Sequence, residues 1–264
     1  MKYRTIIATA TALLLTVSLS FLTSDLRAGI YRPVRPIEVT IDAPDSSVEL
    51  VGYLYLPDQK EYPQPPVVIL LHQLGRSHAV WEDFALRQCQ QGWAVFAMDL
   101  RGHGWSIYDL KRKENRPTGT FHAGDFAQYP NDIRYLVNHM LAKHATDVDT
   151  STLAVIGASI GGNSGLLYAA TEPRVKYTAL ISAGLDYKGL RIANAIFEFT
   201  DRPLFLATAA RDINSAQSCY LLADFIPRPL DIKVYDTSYH GNELVSRSVA
   251  LKKKLEDDLK RYLR

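Results

Sequence analysis

"TLAVIGASIGGNSGLLYAA", residues 152–170, decides how the rest of the chain is read. Residues 153–157 form an apolar run of strand type, and helical character returns in "GLLYAA". At the junction stands Ser159, between Gly157 and Gly161. Gly157, Ala158, Ser159, Ile160 and Gly161 fit the pattern G-x-S-x-G, in which a strand turns sharply into a helix and small neighbours let the backbone take strained dihedrals. Such a turn pushes the serine side chain out of the fold. The helix that follows aims its free N–H groups at any negative charge forming beside the hydroxyl. A tight turn built only for packing uses the same small residues, so the motif implies chemistry only if partners exist elsewhere in the chain.

Outward from this turn the chain alternates strand and helix. "IEVTI" (37–41) and "SVELVGYLYLP" (47–57) are β-branched and aromatic, with the turn residues "DAPDS" between them, and read as a hairpin. "PPVVILLH" (65–72) and "GWAVFAMDL" (92–100) are continuous apolar runs, as expected of strands covered on both faces. Between them "AVWEDFALRQCQQG" has Trp81, Phe84, Leu86 and Cys89 at helical spacing, and Gly92 as a stop. Further strands are expected at 153–157, 177–182, 203–208 and 232–235, interleaved with helical patterns. The last helix, 243–263, carries Leu244, Leu251, Leu255, Leu259 and Leu263 on one face, which suits packing on the sheet. The fold class that follows is α/β: a mostly parallel, eight-stranded sheet with helices on both faces. The polar, basic stretch "SIYDLKRKENRPTGTFHAGDFAQYP" (106–130) breaks the rhythm and reads as a long surface loop.

A serine hydroxyl is a weak nucleophile until an oriented base takes its proton. Of the histidines, His240 is best placed, just past the last strand in "IKVYDTSYHGNEL" and just before the final helix. His139 and His144 lie in or at the end of a helix and are read as surface residues. For the orienting carboxylate, "PLFLATAARDINS" puts Asp212 in the loop after a strand, whereas Asp201 precedes that strand and lies at its wrong end.

The chain order Ser159, Asp212, His240 resembles that of the α/β-hydrolase family. "LLHQLGRS" is similar to the family's oxyanion loop, "AMDLRGHGWS" to its D-x-R-G-H-G-x-S turn and "YHGNEL" to its histidine loop. The resemblance covers residues 37–264 and is greatest to compact bacterial esterases of the dienelactone-hydrolase-like or serine-aminopeptidase-like groups. It implies oxyanion-hole donors at the backbone N–H groups of Leu74 and Ile160. It also implies a departure at Gln73, where the family usually has glycine; Gln73 either alters that loop or lends its amide to substrate binding. His72 and His103 are expected to make structural hydrogen bonds, and Asp99 with Arg101 to brace a turn. Residues 183–202 are too few for a folded cap, so an open pocket and no large cap domain are expected. The implied reaction is hydrolysis of a small-molecule carboxylic ester through an acyl-enzyme, with amide hydrolysis as an enzymatic alternative. A non-catalytic binding protein on the same fold and a lipase-like interface are the rivals; the polar 106–130 stretch weakens the last. No metal or organic cofactor is implied.

At the N-terminus Lys2 and Arg4 precede an uncharged run, residues 6–22, followed by Ser24 and Asp25. Residues 1–28 therefore read as a signal peptide or an N-terminal membrane anchor, with the hydrolase domain over 29–264, exported to periplasm or medium or held at the membrane. Without residues 1–28 the 30 basic and 28 acidic residues become 27 of each, which gives no electrostatic reason to expect nucleic acid as a partner. Cys89 and Cys219 lack a metal-ligand spacing and suit two separate buried thiols, with pairing in an oxidising compartment as the alternative. Oligomeric state has no signature in the sequence.

Overall fold

The strand-type runs and the helical periods assort as their patterns require. The structure, a computed structural model, describes residues 34–199, 202–225 and 231–264. The leader or anchor expected at residues 1–28 and Asp201 lie outside the described residues. Eight strands form the main sheet: β1 (Ile37–Asp42), β2 (Glu49–Tyr55), β3 (Val67–Leu71), β4 (Ala94–Met98), β5 (Leu153–Ala158), β6 (Val175–Ile181), β7 (Leu204–Ala209) and β8 (Asp231–Tyr235). Their order is β1-β2-β4-β3-β5-β6-β7-β8. β1 and β2 form the expected antiparallel hairpin, and β2 meets β4 antiparallel; every other pairing is parallel, with Leu71 of β3 beside Gly157 of β5.

The helices are α1 (Glu82–Gln90), α2 (Tyr129–Lys143), α3 (Ile160–Ala170), α4 (Ala193–Glu198), α5 (Ile213–Phe225), α6 (Asn242–Arg247) and α7 (Val249–Leu263). Strand side chains alternate between two cores. Val67, Ile69 and Leu71 of β3 join Leu136 and Met140 of α2 and Leu166 of α3 on one face. Val68 and Leu70 join Phe84 of α1 and Leu251, Leu255 and Leu259 of α7 on the other. Continuous apolar strand runs are the consequence of covering both faces.

Three expectations change. The final helix is two helices, because Ser248 leaves the helical region at φ −98°, ψ 105° and caps α7 by accepting the Leu251 N–H; all five leucines are nevertheless buried. The 106–130 segment is organised rather than an open loop. It holds a two-residue ladder of Tyr108–Asp109 with Glu114–Asn115 and a helical turn over Ala123–Phe126, fixed by a bidentate Arg116–Asp125 pair and by burial of Phe126. Asp99 and Arg101 do not brace one another. Asp99 accepts the His78 and Trp105 N–H groups, while Arg101 reaches α2, donating twice to Asp132 at 2.7 Å, and also donates to Asp45 and Ser47 in the β1–β2 turn.

Arg101 and Asp132 are both nearly inaccessible, so each neutralises a charge that water cannot reach. Asp132→Ala should lower the unfolding free energy by about 3 kcal/mol in urea titrations at pH 7. Asp45→Ala, at the exposed end of the same network, should cost under about 1 kcal/mol.

Candidate active site

The parallel strands β3, β5, β6 and β7 run the same way, so the turns after them cluster at one edge of the sheet. Ser159 follows β5 and is the last residue before α3, at φ 53°, ψ −122°, a backbone state that non-glycine residues rarely adopt. The turn can be this tight only because of its neighbours. A Cβ at Gly157 would lie 2.4 Å from the Gly161 carbonyl oxygen, and one at Gly161 would lie 2.5 Å from that of His72. The Ser159 N–H still completes the sheet by donating to Ile181, and its carbonyl accepts from Gly162 and Asn163 to start α3.

Asp212 and His240 arrive from the loops after β7 and β8, and His240 Nδ1 lies 2.7 Å from Asp212 Oδ2. A carboxylate only accepts, so this contact puts the imidazole proton on Nδ1 and leaves Nε2 with a lone pair. Burial would raise the Asp212 carboxyl, but hydrogen bonds from His240 and Ser215 outweigh it and hold the group below the ordinary carboxylate range. Ser159 and His240 line one cavity of about 270 Å³, together with Gln73, Leu74, Ile160, Tyr187 and Lys188. A larger cavity, about 430 Å³, lies between the β1–β2 turn and α2; its lining has no nucleophile beside an imidazole.

The loop after β3 is held by two buried imidazoles. His72 Nδ1 donates to the Gln73 carbonyl and Nε2 accepts the Leu100 N–H; His103 Nε2 accepts the Gly75 N–H at 2.9 Å. Burial, aided by the neighbouring His103, lowers His72 to about 3, and burial likewise lowers His103. Both therefore serve as neutral scaffolding, as expected. Gln73 lines the cavity and also ties two loops together: its Oε1 accepts the Asn242 N–H at 2.7 Å while its own N–H donates to Asn242 Oδ1 at 3.1 Å. Between Gln73 and Gly75 the Leu74 N–H has no acceptor among the described residues, nor has that of Ile160 at the first position of α3.

Tyr187, Lys188, Ser182, Ser215 and Asn242 were not legible as site residues. Tyr187 lies on a two-residue ladder between β6 and α4, and its hydroxyl approaches both Ser215 Oγ and the Ser182 carbonyl. Only the fold brings these together. His144, expected on the surface, is buried with Nδ1 2.9 Å from Asp147 Oδ2, while His139 is half-buried. Cys89 and Cys219 are free and buried, as two separate thiols. Among the described residues no acidic, histidine or cysteine cluster of metal-binding geometry occurs, and no helix is long and apolar enough to cross a membrane.

The model of the family described as serine aminopeptidase, S33, matches residues 63–211, more than half of the chain. The chain belongs to this α/β-hydrolase family. The S33 match takes in the turn around Ser159 and the loop at Gln73 but stops just before Asp212 and short of His240. A putative carboxymethylenebutenolidase of Yersinia pestis is 30% identical over 139 residues, 53% of this chain and 50% of that protein, so the chain spans about half the relative's length. Among solved structures, an esterase of Pyrococcus furiosus superposes with a TM-score of 0.63 at 17% identity, covering 90% of this chain and 96% of that one. A dienelactone hydrolase of Anabaena variabilis gives 0.64 at 17% identity, covering 88% and 100%. At such identities these likenesses establish the fold: an eight-stranded α/β-hydrolase sheet with no large cap.

The lowered pKa values of His72 and His103 carry a definite sign. The unfolded chain takes up protons near pH 6.5 that the folded chain refuses, so their contribution to stability is complete above that pH and is lost as pH falls, for His72 toward about 3. At pH 5 the His72 imidazole should still be neutral by 15N chemical shift. A charged His72 in the folded protein at that pH would contradict the assignment.

Proposed function

We propose that the protein is a serine hydrolase of small carboxylic esters. The observation that carries this reading is the 2.7 Å Asp212–His240 contact, beside a cavity that His240 shares with a serine on a strained strand-to-helix turn. In the reaction, His240 Nε2 takes the Ser159 proton as Oγ attacks the ester carbonyl, and Asp212 holds the tautomer and stabilises the imidazolium. The tetrahedral oxyanion is received by the Leu74 and Ile160 N–H groups, both free of competing acceptors among the described residues. Collapse expels the alcohol, protonated by His240, and leaves an acyl-Ser159. Water activated by His240 then releases the acid.

The S33 description favours amide bonds as a second reading, since the same groups cleave them. The cavity of about 270 Å³ suits a short acyl group. Lys188 is the one Lys or Arg on its lining; its ammonium lies 5.9 Å from the centre of the Phe126 ring, and no carboxylate among the described residues pairs with it. An acyl chain ending in a carboxylate is accordingly the preferred substrate type. Export or membrane attachment of the enzyme is part of the proposal and is supported by Lys2, Arg4 and the uncharged run of residues 6–22.

Purified protein lacking residues 1–28 should hydrolyse p-nitrophenyl acetate and butyrate, and Ser159→Ala should reduce kcat by about 10⁴-fold or more. Asp212→Asn should cost about 10³- to 10⁴-fold through loss of the correct tautomer. Activity that survives Ser159→Ala unchanged would sink the mechanism, and faster turnover of matched p-nitroanilides would move the assignment to amides. Lys188→Met should lower kcat/KM for a p-nitrophenyl hemiglutarate roughly two- to fivefold, with the neutral butyrate ester unaffected.

A further inference from the structure

Two loops that contribute to this site come from opposite ends of the chain. The first runs from His72 to Gly75 after β3, and the second from His240 to Asn242 between β8 and α6. We infer that Gln73 and Asn242, 169 residues apart, are positioning residues that lock these two loops into one unit, so that the Leu74 N–H and the His240 imidazole are set by a single constraint. The inference rests on the serine-hydrolase reading.

The contact is reciprocal. Each residue's side-chain oxygen accepts the other's backbone N–H, at 2.7 and 3.1 Å. Because both partners are backbone donors, only one orientation of each amide works: flipping either would set NH₂ against N–H. For Asn242 this orientation has a cost. Its Nδ2 is buried and has no partner among the described residues, a situation that native structures ordinarily avoid.

The neighbours are arranged to permit the lock. A Cβ at position 241 would lie 2.3 Å from Gln73 Oε1, so glycine there is what lets the amide reach past the histidine loop, and Gly241 sits at φ 56°. The Gly241 N–H is held from the other side by Ser182 Oγ at 3.0 Å. On the first loop, His72 occupies the Gln73 carbonyl and His103 occupies the Gly75 N–H. With Gln73's own N–H given to Asn242 and that of Arg76 to the Gln73 carbonyl, the Leu74 N–H is the one main-chain donor from Gln73 to Arg76 without an acceptor among the described residues. The lock therefore aims that donor while it fixes the residue after His240. Gln73 also lines the cavity, yet its Oε1 is committed to Asn242 and is not offered to a ligand.

The test compares Gln73→Met, which keeps the volume and loses the bond from the Asn242 N–H, with Asn242→Ala, which loses the bond from the Gln73 N–H, and with the double variant. Each is checked for folding by thermal melting, then assayed for kcat and KM on p-nitrophenyl butyrate and for the rate of Ser159 labelling by a fluorophosphonate. Displaced donors are expected to lower kcat and the labelling rate together by roughly ten- to a hundredfold, with KM within about twofold. The double variant should lose less than the product of the two single losses, because the bond each single variant keeps cannot hold the loops without its partner. Should Asn242→Ala not fold, Gln73→Met on its half-exposed loop carries the kcat and labelling test by itself. A rise in KM with kcat intact would make Gln73 a substrate contact and overturn the inference, as would strictly additive losses or no loss. Wild-type protein inert to both ester and fluorophosphonate would instead overturn the hydrolase reading, and the lock's role with it.

Discussion

The close approach of α3 to the end of β3 is the constraint on which the site depends. A Cβ at Gly161 would stand 2.5 Å from the His72 carbonyl oxygen and 2.7 Å from that of Leu71, so the first turn of α3 lies directly on the strand end where the Gln73 loop departs. Ser159 and Leu74 are thereby brought to one cavity without any contact between their own side chains being required. The strain at Ser159 is the other side of the same geometry: a residue at φ 53° is held there by the Ser159–Ile181 sheet bond behind it and two helix bonds ahead of it. Gly165, one turn on, continues the approach, since a Cβ there would meet Val155 and Leu71 at 2.8 and 2.9 Å.

This explains what was legible in the sequence. The pattern of small residues at 157–165 exists because backbone must touch backbone, and that requirement is local enough to be read from residue types alone. The strands were legible for a related reason: burial on both faces forces unbroken apolar runs, and β3 and β4 have no other pattern available. Asp212 and His240 could be chosen because a parallel sheet delivers loops to one edge in a fixed chain order. Tyr187, Ser182 and Asn242 could not, since their roles come from hydrogen bonds across 5 to 169 residues and nothing in their own segments marks them. Arg101 shows the same limit from the structural side. Its two-residue separation from Asp99 suggested a local pair, yet burial of a guanidinium favours whichever carboxylate can meet it bidentately, and that one is on α2.

Three imidazoles at this edge show how environment assigns roles to one side-chain type. His72 and His103 spend both ring nitrogens on backbone groups, and burial keeps them neutral; a proton on either would break an accepted N–H bond from Leu100 or Gly75. His240 spends one nitrogen on Asp212, stays about one-third exposed, and borders the cavity with the other unassigned. His240 has the Asp212 carboxylate at 2.7 Å, whereas His72 has the His103 ring beside it and no carboxylate contact. In the proposed reaction, proton transfer at this edge of the sheet is thus confined to one ring. The two neighbouring rings, spent on backbone groups, hold the loop after β3 still while the third would act in that reaction.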